Sequence, residues 1–282
     1  EKMFQHPFFF LLIRTDQLAD LVTLTEVVIL DCRFWLMDKT KGRKEYLAGH
    51  IPGAYYLDPE QDLSSPQIPG VTGRHPLPHP EIIASAFRAA GINSNTQVVA
   101  YDQSTGAFAA RAWWLLRWLG HPRVAVLDGG FTAWAHEGRT TDNQWYPPAH
   151  GTLQVQLRQE MTLDRQKVAA LSSGVYDSRD YKRFTGETEP IDPVAGHIPG
   201  AVCLPHVENN LESGMWKSEE ALRQRFKDVL PSDAGQPVFY CGSGLTACHN
   251  ILAYKIATGH DALLYPGSWS EWIHYYPAET GG

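Results

Sequence analysis

Residues 237–255 read PVFYCGSGLTACHNILAYK: an apolar run ends on Cys241, small uncharged residues follow, and a helical pattern begins near Thr246. A cysteine where a strand hands over to a helix is placed for nucleophilic chemistry. In an open α/β sheet, ligands gather at the carboxyl ends of the strands, where a loop enters a helix. Gly242 and Gly244 read as residues that let the backbone curl, not as packing positions. The curl points the amides of Gly242, Gly244, Leu245 and Thr246 inward, and the helix N-terminus adds partial positive charge. Such a nest favours a thiolate over a thiol. Two chemistries use a cysteine of this kind. Phosphoryl transfer needs an arginine after five intervening residues to grip the phosphoryl oxygens; Ala247 stands there instead. Sulfur transfer, in which the thiolate takes a sulfane sulfur as a persulfide and hands it on, needs no such arginine.

The elements that position this loop occur twice. VILDCR at 28–33 matches VYDSR at 175–179, and GHIPGA recurs unchanged at 49–54 and 196–201. QVVAYD at 97–102 matches QPVFYC at 236–241, and VLDGGFTAW at 126–134 matches LYPGSWSEW at 264–272. Matched segments in the same order mean a duplicated domain. Features in both copies serve the fold, and a feature in one copy is a candidate for chemistry. By that test Asp31/Asp177 and Arg33/Arg179 form a structural ion pair at a strand end, and GHIPGA is a turn. Asp102 stands where Cys241 stands, so the first copy keeps the turn without the thiol.

Apolar runs such as VVIL, QVVAY and VAVLD read as buried strands. ILAYKIATG, ALRQRFKDVL and AARAWWLLRWLG carry apolar residues at helical spacing. Strand alternating with helix implies an α/β fold: two tandem domains, each a mostly parallel sheet with helices on both faces. The expected boundaries are 1–141 for the silent domain, 142–159 for a Pro- and Gly-bearing linker, and 160–282 for the catalytic domain. Phe8 to Ile13 (FFFLLI) is too short to span a membrane and lacks a basic flank or a cleavage site, so it reads as a buried strand.

The chain has 282 residues, 43% hydrophobic and 20% charged, with net charge −7. Acidity argues against a nucleic-acid partner. Four cysteines without CxxC or Cys/His spacing suggest neither a disulfide framework nor zinc, and point to a reducing cytoplasm. Cys32 and Cys203, inside apolar runs, read as core residues. Cys248, two helical turns past Cys241, reads as distant from it.

These motifs resemble the tandem-domain rhodanese family of sulfurtransferases over nearly the whole chain. The resemblance implies two rhodanese-like domains, the first catalytically silent, and no metal or organic cofactor. Within the family, thiosulfate enzymes resemble CRKGVTA at the loop and 3-mercaptopyruvate enzymes resemble CGSGVTA; Cys241-Gly-Ser-Gly-Leu-Thr-Ala falls with the latter. The physics agrees, since a thiosulfate dianion favours cationic side chains beside the cysteine and this loop offers none. Arg183 in YKRF matches the family's substrate-binding arginine, and its counterpart in the first copy is Met37. A second arginine, in an EPR segment of the mercaptopyruvate enzymes, is Ile191 here, which weakens carboxylate binding. His75 in GRHPLP and Glu60 match, with Ser243, the Ser-His-acid set of that family, able to shuttle the donor's thiol proton. Arg74 would add positive charge, and Trp35 reads as a packing residue. The expectation is a sulfurtransferase moving sulfur from 3-mercaptopyruvate through a Cys241 persulfide to a thiol, cyanide or thioredoxin-like acceptor. The alternatives are a thiosulfate:cyanide sulfurtransferase and a non-enzymatic persulfide carrier or regulatory binding module.

Overall fold

The computed structural model describes residues 7–233 and 235–282, which fall into two compact units. The first holds the chain to Leu63, Pro78–Arg158 and Glu212–Trp216; the second holds Ser64–Leu77, Gln159–Leu211 and Lys217–Gly282. In the first unit the strands are β1 (Leu12–Ile13), β2 (Val27–Asp31), β3 (Tyr55–Tyr56), β4 (Gln97–Tyr101) and β5 (Val124–Leu127). They lie in the order β1-β5-β4-β2-β3, with every pairing parallel. In the second unit β6 (Val175–Asp177), β7 (Val202–Cys203), β8 (Val238–Tyr240) and β9 (Leu263–Leu264) lie in the order β7-β6-β8-β9, again all parallel. The four strands of the second sheet repeat the order β3-β2-β4-β5 of the first, with Asp31 facing Tyr101 in one and Asp177 facing Tyr240 in the other. The VVIL, QVVAY and VAVLD runs are strands. The three expected helical patterns lie in the helices Ala247–Thr258, Glu219–Val229 and Ala109–Trp118. Strand β4 is buried at every position, as expected of a parallel strand covered on both faces. Among the described residues no helix is long and apolar enough to cross a membrane.

The FFFLLI stretch departs from expectation. Only Leu12 and Ile13 form a strand, and Phe10 is 44% exposed. Strand β1 pairs with β5 alone; before it Leu11 C=O accepts from Val126 N–H, and Phe10 and Phe9 are held by side chains. The Gln97 amide accepts from Phe9 N–H (2.8 Å) and donates to Phe9 C=O (2.9 Å). Residues 142–158 are bonded to the first unit, with Gly151 N–H donating to Arg88 C=O and Arg158 N–H to Trp118 C=O.

The repeated Asp-x-Arg pair is a lock at the end of β2 and β6. Arg179 Nη2 donates to Asp177 Oδ2 (2.6 Å) and to Gly196 C=O (2.7 Å). Arg33 Nη2 does the same to Asp31 Oδ2 (2.7 Å) and Gly49 C=O (2.7 Å). Gly49 and Gly196 open the two GHIPGA turns. The next apolar residue of each turn, Ile51 or Ile198, donates its N–H to Tyr101 or Tyr240 Oη. Both carboxylates are fully buried, so the pair fastens strand to turn and neither member can be removed without stranding a charge.

At the end of β4 the first unit shows what its turn was built to hold. Asp102 Oδ1 accepts from the N–H groups of Ser104 and Gly106 (both 3.0 Å). Its Oδ2 accepts from Phe108 (2.8 Å) and Ala109 (3.2 Å). Four amides converge on one carboxylate that is 1% exposed. Burial raises this carboxyl, and the four N–H bonds pull it back only in part. Asp102→Ala should leave those amides without an acceptor and cost about 3–5 kcal/mol of stability, read by urea unfolding; a loss within about 0.5 kcal/mol would show that the cradle needs no anion.

Candidate active site

The equivalent turn in the second unit runs from β8 through Cys241 to the helix Ala247–Thr258, with Thr246 as its N-cap. Cys241 is 1% exposed, and the Gly244 N–H donates to its Sγ at 3.1 Å. Gly244 has φ +89°, and a Cβ there would lie 2.4 Å from Pro266 C=O. A Cβ on Gly242 would lie 2.8 Å from Arg74 Nη2 and 3.4 Å from Arg183 Nη2. Gly244 is therefore also fixed by close packing against backbone, contrary to the expectation that it serves the curl alone, whereas Gly242 faces only the ends of two arginine side chains. The side chain of Leu245 is buried. Cys248 Sγ, on the helix, donates to Gly244 C=O (3.6 Å).

The segment after β9 clamps this loop. Trp269 N–H donates to Cys241 C=O and Ser270 N–H to Gly242 C=O, both at 2.9 Å. Phe131 and Thr132 make the same bonds to Asp102 and Gln103 in the first unit. One position breaks the symmetry. Gly130 and Ser268 both have φ +57°, a left-handed backbone that suits glycine and strains a serine. Ser268 Oγ accepts the Cys241 N–H (3.1 Å) and donates to Tyr265 C=O (3.0 Å). The strain is offset by a bond that fixes the backbone of the cysteine. Sequence reasoning passed over Ser268, although its match to a glycine was the available signal.

Residues 64–77 deliver two of the expected side chains. Gly73 packs so close to Gly267 that a Cβ would lie 2.4 Å from its carbonyl oxygen, and Arg74 N–H donates to Ser270 Oγ (3.0 Å). His75, 1% exposed, then has Nδ1 2.7 Å from Ser243 Oγ, two residues past the cysteine. The serine and histidine expected to act together are thus hydrogen-bonded in one unit. Glu60 lies in the first unit, where Lys39 Nζ donates to it at 2.7 Å. Trp35, also there, lies under the Lys41 ammonium, and Met37 is 88% exposed.

Arg183 sits on the short helix Tyr181–Thr185, started by Asp180, whose side chain accepts the Arg183 N–H, and ended by Gly186. Its guanidinium is already paired: Nε and Nη2 donate to Glu189 (3.2 and 3.0 Å), and Nη2 also to Asp192 (3.2 Å). Asp192 in turn accepts from Arg74 Nη1, and Glu189 from Arg179 Nη1 (3.3 Å). A chain of alternating charges thus runs from the Asp-x-Arg lock to Arg74. Asp192 was not singled out from the sequence, because one of its two partners, Arg74, lies far from it in the chain. Cys203 is pushed up to about 12 by burial, then by Asp177, and burial also raises Cys32 well above an ordinary thiol. Both stay protonated and unreactive at neutral pH.

Burial pushes the Glu189 carboxyl up, but the N–H groups of Asp192 and Ile191 and the Arg183 guanidinium outweigh it, and it titrates below its ordinary range. A carboxyl lowered on folding adds stability above its unfolded pKa, about 4.3, and loses it as pH falls through the folded value. Urea unfolding should therefore show a fall in stability on acidification below about pH 5. Glu189→Gln should be less stable at neutral pH and lose less on acidification; an unchanged pH slope would contradict this.

Comparison with known proteins agrees with the repeat. The family described as Rhodanese-like domain matches residues 14–137 and 157–275. A Pseudomonas aeruginosa protein named "Probable 3-mercaptopyruvate sulfurtransferase" is 45% identical over 93% of this chain and 94% of its own length. The chicken (Gallus gallus) thiosulfate sulfurtransferase is 35% identical over 89% of this chain and 88% of its own. Among solved structures, the Escherichia coli 3-mercaptopyruvate sulfotransferase SseA superposes with a TM-score of 0.81 at 30% identity, covering 93% of this chain and all of that one.

Proposed function

The chain belongs to the rhodanese family, and from that premise we propose that it moves sulfur from 3-mercaptopyruvate through a persulfide on Cys241. The thiolate attacks the donor sulfur and the donor's C–S bond breaks. Its electron pair stays on carbon as the enolate of pyruvate, and the proton that left the donor thiol ends on that carbon. The enzyme is left with Cys241–S–S⁻, which a thiol, cyanide or a thioredoxin-like acceptor relieves of its outer sulfur. That outer sulfur is two bonds from Cβ, as the carboxylate oxygens of Asp102 are in the first unit. The amides that hold Asp102 indicate what the matching turn offers a persulfide.

The observation that carries the choice of donor is the 2.7 Å bond between His75 and Ser243. Mercaptopyruvate must pass a proton from sulfur to carbon, and a hydroxyl–imidazole pair next to the cysteine can relay it. Thiosulfate releases sulfite with no proton to move. Arg183 takes the donor carboxylate, and Arg74, whose guanidinium also lies against Gly242, supplies the second cation that Ile191 lacks. Glu60 is the proposed acidic member of the same Ser-His-acid set. The same two guanidiniums are what favours the second reading, in which thiosulfate is the main donor. The proposed setting is the reducing cytoplasm.

Comparing kcat/KM for the two donors decides between the readings. Cys241→Ser should lose at least about 10³-fold of sulfur transfer from either donor. His75→Ala should cut kcat with 3-mercaptopyruvate by about 10²-fold and leave thiosulfate:cyanide turnover within a few-fold. Equal losses with both donors would contradict a proton relay, and retained transfer in Cys241→Ser would contradict the mechanism as a whole.

A further inference from the structure

We infer that Asp192 sets the charge preference of the donor site. This rests on the sulfurtransferase reading above. Its carboxylate, 4% exposed, accepts from Arg74 Nη1 on one oxygen and from Arg183 Nη2 at 3.2 Å on the other. Those two guanidiniums are the cations packed against Gly242, the residue next to the candidate nucleophile. One buried carboxylate therefore holds both anion-binding groups in place and cancels part of their charge.

The surrounding charges balance. Arg74, Arg179 and Arg183 carry the positive charge, and Asp177, Glu189 and Asp192 carry the negative. In a poorly solvated site the work of bringing in an anion grows with its charge, and a balanced cluster gives back little of the lost hydration. A monoanionic donor with one carboxylate fits such a site better than a dianion that must also approach a thiolate. Without the Asp192 charge the cluster carries one excess positive charge, and a dianion gains twice what a monoanion gains.

Asp192→Asn keeps the size and one acceptor oxygen while removing the charge. It should raise the ratio of kcat/KM for thiosulfate to that for 3-mercaptopyruvate by about tenfold or more, with a steeper dependence of the thiosulfate rate on salt. Asp192→Glu keeps the charge and should hold the ratio near that of the parent chain. A ratio unmoved in Asp192→Asn, or one moved equally by both variants, would overturn the assignment. Sulfur loading of Cys241 in the parent chain separates the two levels. No loading by either donor contradicts the sulfurtransferase reading, whereas loading with an unmoved ratio contradicts the role of Asp192 alone.

Discussion

Each half of this chain must supply an acceptor to the amides of a turn at the end of its central strand. Buried N–H groups need acceptors, and a helix N-terminus concentrates them at one point. In the first unit Asp102 meets the demand with its own carboxylate, taking four amides. In the second, Cys241 stands at the same place and the Gly244 N–H points at its sulfur. The same constraint thus yields a turn closed by its own carboxylate in one half and a turn with a sulfur at that place in the other.

The charges that extend from the lock arginine differ between the units: in the first, Arg33 reaches Glu45 at 4.0 Å and through it Lys41 at 3.7 Å. In both, an Asp-x-Arg lock fastens the GHIPGA turn to the sheet. In the second unit alone, the lock arginine continues through Glu189 to Arg183, Asp192 and Arg74. Each guanidinium is held by a carboxylate, so the cations that would meet a donor are ordered before it arrives. In the proposed reaction, preordering would lower the entropic cost of binding, and the carboxylates would temper the field a donor meets. The serine at a left-handed backbone position works in the same direction, spending local strain to fix the Cys241 backbone.

Much of this was legible without coordinates. Strands β2, β4 and β5 and the helix after Cys241 follow from local apolar patterns, which burial on a parallel sheet enforces. Aligning the two halves isolated Cys241 against Asp102 and Arg183 against Met37. What stayed hidden depends on contacts far apart in sequence. The placement of residues 64–77 with the second unit, which brings His75 to Ser243, leaves no local pattern. Neither does the sharing of Asp192 between Arg74 and Arg183. Ser268 was hidden because a left-handed backbone is expected of glycine. The FFFLLI run misled because apolar content indicates burial, and here an edge strand of two residues is preceded by a segment that the Gln97 side chain holds at Phe9.

The most direct test is mass spectrometry of the intact chain and its peptides after exposure to 3-mercaptopyruvate with no acceptor present. The account predicts one added sulfur atom per chain, located on Cys241, with Cys32, Cys203 and Cys248 unmodified, and its loss when cyanide is added. Sulfur distributed over the other thiols, or none on Cys241 under conditions of turnover, would contradict it.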